Sequence, residues 1–150
     1  MRTAFLGTAA LALSIAWTLS ATAHHSTAAF YDTTKSITLE GKIVRVEWIN
    51  PHILLFLESK NEKGELETWV LEGSSLNGAM RRPGLKEMLQ PGITITARAY
   101  PARNSLMLTE TQIVRRTQAD DVKRSPRIVE AGELRLPGGE LQSFGPGPKF

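Results

Sequence analysis

A chain of 150 residues without a single cysteine has neither disulfides nor thiolate ligands at its disposal, so its stability must come from apolar burial and any metal chemistry from nitrogen and oxygen donors. Its 18 basic and 15 acidic residues nearly cancel to a formal +3 that is spread along the chain, which gives no electrostatic footprint for nucleic acid. G-x-S-x-G, P-loop and dinucleotide fingerprints do not occur, which argues against an ordinary hydrolase or nucleotide enzyme.

Residues 1–23 read as an export signal. Arg2 supplies a positive start, Ala4 to Leu19 is almost wholly apolar, and Ala21-Thr22-Ala23 fits the small-x-small cleavage pattern. The apolar run is interrupted by Thr8 and Ser14 and falls short of the roughly 20 residues that span a bilayer. Cleavage after Ala23 leaves a periplasmic or secreted chain with no stable membrane insertion. It begins at His24, and only Arg2 of the charged residues is lost with the signal. One domain is the economical reading for the remainder.

The first periodic segment is Ile37 to Asn50. Ile37, Leu39, Gly41 and Ile43 share one parity, and Val44, Val46 and Trp48 continue on the other. The slip beside Gly41 predicts a bulge or sharp coil in one long strand. Asn50-Pro51 interrupts it, since proline brings no N–H. Residues 52–59 and 66–73 follow as strands joined by a turn around Gly64, so three consecutive antiparallel strands are expected. Ser74 or Ser75 then caps a short helical connection carrying Leu76 and Met80, with Leu85, Met88 and Leu89 at helical spacing beyond Pro83-Gly84. Pro91-Gly92 turns the chain into an alternating strand over 93–100, and 105–114 reads as the fifth strand.

Three strands, a helical connection and two more strands are the order of an all-β, OB-like, five-stranded Greek-key barrel over 24–114; a β-sandwich is the alternative. Residues 115–128 are charged and aperiodic and read as a linker. A hairpin about Pro137-Gly138-Gly139 follows, with Leu134, Leu136, Leu141 and Phe144 facing inward, and the closing Gly-Pro-Gly-Pro-Lys-Phe reads as disordered.

Five stretches in order carry a resemblance: Ala23-His-His-Ser26, the run from Gly41 to His52, Trp69 to Ser75, Leu89 to Gly92, and Tyr100 to Asn104. Together they resemble the exported bacterial family catalogued as domain-of-unknown-function family 6152. The resemblance implies export and that both histidine motifs belong to the family pattern, and it says nothing about activity.

All three histidines fall at two points: His24 and His25 at the new terminus, and His52 directly after Asn50-Pro51. Cleavage after Ala23 gives His24 a free α-amine, which with its own Nδ1 can chelate one ion in a ring. His25 adds a second imidazole, and Pro51 stiffens the turn that carries the third. A nitrogen-rich set without sulfur suits copper best, and zinc or nickel next. The arrangement resembles the histidine brace of exported copper proteins. By that resemblance His24 supplies two nitrogens and His52 the third, with His25 replacing or supplementing either. The expected function is metal binding and copper handling through His24, His25 and His52 rather than turnover. The alternative is a metal-free OB-like module that binds a small ligand or a protein; a metal-dependent oxidative enzyme ranks third.

Other residues read as structural. Trp48, Phe56, Trp69 and Tyr100 can form a stacking platform, but strand aromatics among aliphatics belong more often to a core. Glu47, Glu58 and Glu72 read as solvated strand-face charges, and Arg81-Arg82 and Arg115-Arg116 as surface charge.

Overall fold

The computed structural model describes residues 27–103 and 127–150. The expected signal segment over 1–23, His24, His25 and the strand expected at 105–114 lie outside those residues. Among the described residues no helix is long and apolar enough to cross a membrane.

The chain enters through a single helical turn, α1 (Thr27–Phe30), and then forms β1 (Ile37–Glu47), β2 (His52–Lys60) and β3 (Leu66–Ser75). Two short helices, α2 (Leu76–Met80) and α3 (Leu85–Met88), lead to β4 (Thr94–Pro101). After the undescribed stretch come β5 (Arg127–Arg135) and β6 (Leu141–Ser143). The pairing order is β3-β2-β1-β4-β5-β6, and β5 also runs parallel to β3. That contact closes five strands into a barrel with the pairings of the OB type, removing the edges an open antiparallel sheet would carry.

The long first strand serves both sides of the barrel. Its first half, Ile37 to Lys42, pairs with β4, and its second half, from Lys42 to Glu47, pairs with β2. The register slips between Ile43 and Arg45, leaving Val44 unmatched and 42% exposed. This bulge is the phase change that the sequence pattern predicts, and it returns Val46 and Trp48 to the same interior as Leu39 and Ile43. The coil needs glycine at its pivot: a Cβ on Gly41 would meet the Glu58 carbonyl oxygen at 2.3 Å. Ser75 caps α2 by accepting from the Gly78 N–H at 3.2 Å, as the sequence predicts for this connection.

The interior is filled by Ile43, Ile53, Leu55, Leu57, Leu71, Ile95, Ala97 and Ala99, and Leu85 and Leu89 of the helical connection are buried in the same cluster. Strand alternation and the helical spacing of Leu85 and Leu89 bring these residues together.

The closing strand corrects the expected layout. The barrel takes its fifth strand from 127–135, past the boundary expected at 114, where the sequence reads as linker and hairpin. The reason is a bulge in β5. Val129 and Ala131 face the interior on one parity, the register shifts, and Leu134 faces it on the other. Gly132 is the skipped residue, so the alternation that marks a strand is broken in the middle. The hairpin about Gly138 and Gly139 forms as expected, with Leu134, Leu136 and Phe144 buried, but Leu141 is 46% exposed. The terminal segment is likewise ordered on the barrel. Phe144 is fully buried, a Cβ on Gly132 would meet the Gly147 carbonyl at 2.1 Å, and the Phe150 N–H donates to Glu133 Oε2 at 2.9 Å.

Candidate functional site

Alternation also decides which side chains meet on the outside of the barrel. His52, Leu54 and Phe56 share one face of β2; Val70 and Glu72 share that face of β3; Ile128 and Glu130 share that face of β5. The register sets them in two rungs. Phe56 is opposite Val70, and Val70 lies beside Ile128. One rung along, Leu54 is opposite Glu72, Glu72 lies beside Glu130, and Glu130 is opposite Tyr100. An apolar row therefore borders a row holding two carboxylates, and His52 stands diagonal to Glu72, within reach of a long side chain.

This outer face has its own small core. Tyr31, Leu54, Phe56, Val70 and Ile128 are buried together, with Phe30, Ile49, Tyr100 and Ala102 against them. One helical turn is not stable by itself, so α1 holds its place over the face through tethers to the end of β4. The Arg103 N–H donates to the Phe30 carbonyl at 2.9 Å, the Asp32 N–H donates to the Pro101 carbonyl at 2.8 Å, and the Arg103 Nε–H donates to the Ala28 carbonyl at 2.9 Å. Tyr31 forms a bridge with Ala102.

Glu72 is the hub beneath this roof. The Tyr31 hydroxyl donates to its Oε2, and His52 Nδ1 bonds to its Oε1. An ionised carboxylate only accepts, so Nδ1 carries a proton and Nε2 is the imidazole nitrogen turned away from Glu72. The His52 side chain is 37% exposed and the Glu72 side chain 14%. The ring thus reaches solvent while its anchor stays covered. A carboxylate behind an imidazole fixes its tautomer and raises the basicity of the far nitrogen.

Electrostatics follow from this packing. The Glu72 hydrogen bond raises the His52 pKa; burial opposes it, and the charges of Glu72 and Glu130 add to the rise. Burial, then the charge and hydrogen bond of Glu72, push the Tyr31 phenol well above its usual range. Glu130 is 6% exposed. Burial raises its pKa, the Thr27 hydrogen bond opposes this, neighbouring Glu72 adds to it and His52 offsets part. The Thr27 hydroxyl donates to Glu130 Oε1 at 3.1 Å. Glu130 Oε2 is buried and has no hydrogen-bond partner among the described residues.

Of the three histidines singled out by the sequence, His52 is described, and it stands at the head of β2 after a cis Asn50-Pro51 peptide. His24 and His25 lie outside the described residues. Among the described residues no three His, Asp or Glu side chains stand close enough to hold a metal ion. Reading Glu72 as a solvated strand-face charge is corrected: its two oxygens hold His52 and Tyr31. Sequence reasoning missed Tyr31 and Glu130. The available signal was a carboxylate interrupting an apolar stretch, as in Ile128-Val-Glu-Ala131. The aromatic residues are structural, as expected. Trp48 and Trp69 pack against the interior, Tyr100 against the outer cluster, and Phe56 is 2% exposed with the Arg45 guanidinium 3.8 Å above its ring.

The chain belongs to the Family of unknown function (DUF6152), whose family model matches residues 12–109. That span takes in His24, His25, Tyr31, His52 and Glu72 and ends before Glu130. No curated protein and no solved structure matches the chain.

Proposed function

We propose that this family member is an exported protein that binds a divalent metal ion through His24, His25 and His52, copper first and zinc or nickel next, and acts in metal handling rather than turnover. The observation that carries the reading is the bond between His52 Nδ1 and Glu72, which turns Nε2 outward as a basic, oriented donor. Chain connectivity adds to it. His25 is two residues before Thr27, so their Cα atoms are at most about 7 Å apart. Thr27 in turn is bonded to Glu130, which lies beside Glu72. That short connection supports the reading that both histidine motifs serve one patch of the outer face. The alternative, a metal-free module using the same barrel face, has less to work with, since α1 and Tyr31 cover that face and bury Phe56.

Calorimetric and EPR titration with Cu(II) tests the reading on the processed chain, on a chain carrying one extra residue before His24, and on His52→Ala. Both altered proteins are expected to bind at least tenfold more weakly. Unchanged affinity in the extended chain removes the α-amine from the ligand set, and unchanged affinity in His52→Ala removes the site.

A further inference from the structure

A buried carboxyl group short of donors is less costly as the neutral acid than as the anion. Glu130 stands in that position. It is 6% exposed, its Oε1 accepts from Thr27 at the start of α1, and its Oε2 is buried with no hydrogen-bond partner among the described residues. The groups facing it offer little relief. Glu72 lies beside it on β3 with both oxygens taken by His52 and Tyr31, Tyr100 stands opposite it on β4, and Arg103 gives its Nε–H to the Ala28 carbonyl of α1. The helical turn above is too short to hold itself, so whatever Glu130 costs when closed over bears directly on whether the turn stays down.

We propose that α1 and Tyr31 form a proton-gated lid, held closed over Leu54, Phe56, Val70 and Ile128 while Glu130 carries a proton and loosened when that proton leaves. The inference concerns Glu130 and does not depend on the metal-binding reading above. Closed, the lid keeps water from Glu130 and sets it against the charge of Glu72, and both effects penalise the anion. The Thr27 bond favours the anion and His52 offsets part of the Glu72 charge, but burial is the largest effect, so the closed acid keeps its proton above the ordinary 4.5. Opening returns Glu130 to water and to its ordinary range. The closed state is therefore fully favoured below the open-state value and loses its advantage as pH rises through the closed-state value, by up to about tenfold in the opening equilibrium per pH unit. Tyr31 remains a phenol throughout, because its own proton is held well above the usual range, and its bond to Glu72 restrains opening at every pH.

Amide hydrogen exchange on the whole protein, with a chelator present, tests the lid between pH 5 and pH 8. The Tyr31, Asp32 and Arg103 N–H groups donate to the Thr27, Pro101 and Phe30 carbonyls and report the lid, whereas the Ile43 and Phe144 N–H groups, bonded to the Ile93 and Gly132 carbonyls, report the barrel. After correction for intrinsic exchange, protection at the three lid amides is expected to fall by about tenfold from pH 5 to pH 8 while the barrel amides hold. Glu130→Gln keeps the shape and cannot ionise, so its lid amides should be as protected at pH 8 as at pH 5. A carbon-13 carboxyl titration of the unsubstituted protein reads Glu130 directly and needs no variant to fold: its midpoint should lie above 4.5 and coincide with the loss of lid protection. Level lid protection across the range, an equal fall in Glu130→Gln, or a Glu130 midpoint in the ordinary carboxylate range overturns the inference.

Discussion

Tyr31 and Glu72 offer the sharpest test of how the roof is held to the barrel. Tyr31 is 3% exposed, and its hydroxyl donates to a single described acceptor, Glu72 Oε2. Glu72→Ala strands that hydroxyl, at a cost of about 1–3 kcal/mol for a buried group left unsatisfied. The second donor, His52, is 37% exposed, so water replaces much of what it loses and its share is small. Tyr31→Phe deprives the carboxylate of a hydrogen bond to a charged group, worth about 1.5–3 kcal/mol. In the double variant no polar group is stranded, so the two losses should fail to add by about 1–2 kcal/mol. For a domain near 100 residues each kcal/mol corresponds to roughly 4–8 °C in Tm, so urea and thermal unfolding both resolve the effect. Additivity within about 0.5 kcal/mol refutes the coupling. The same hub has a pH signature. The folded His52 pKa lies above its ordinary 6.5, so the His52–Glu72 contribution is complete below that value and is lost as pH rises through the folded pKa. The stability gap between the unsubstituted protein and His52→Ala should therefore be wider at pH 6 than at pH 9.

Three further outcomes follow from the geometry. Gly132→Ala places a Cβ 2.1 Å from the Gly147 carbonyl, which is backbone and not a flexible side-chain tip; lifting the terminal segment threatens the burial of Phe144, so a loss of about 2–4 kcal/mol in urea unfolding is expected. Glu130→Gln should stabilise the metal-free protein at pH 7.5 and do so less at pH 4. The folded pKa of Glu130 is raised above 4.5, so its stabilising effect is complete below that value and fades as pH rises through the folded pKa. A gain that is equal at both pH values in thermal melts contradicts this. Copper affinity should fall steeply below about pH 6–7, because amine and imidazole ligands must shed protons to bind; calorimetry at pH 5.5 and 7.5 measures it, and a flat profile argues against nitrogen ligation.

Much of the architecture is legible because it is local. The alternation of Ile37, Leu39 and Ile43, the parity change beside Gly41, the turn at Gly64 and the cap at Ser75 are each written within a few residues, and the barrel follows from putting them in order. The strand that closes the barrel escapes the same reading because Gly132 shifts its phase, so that Val129 and Leu134 reach the same interior from opposite parities. The Gly-Pro tail escapes it for a different reason. Low hydrophobicity reads as disorder, but its glycines permit a close backbone approach to β5 that composition does not express.

By itself the sequence determined an all-β chain of short strands, the positions of its turns and the placement of its histidines at two points, since these depend on side-chain period and backbone restrictions between near neighbours. Only the tertiary structure decided that Glu72 is an anchor rather than a surface charge, that Tyr31 caps it, and that Glu130 lies beside it under α1. Those roles come from the parallel contact of β3 with β5 and from the fold-back of residues 27–31. A carboxylate becomes part of a site through the partners that closure sets around it, and its neighbours in the chain carry no record of them.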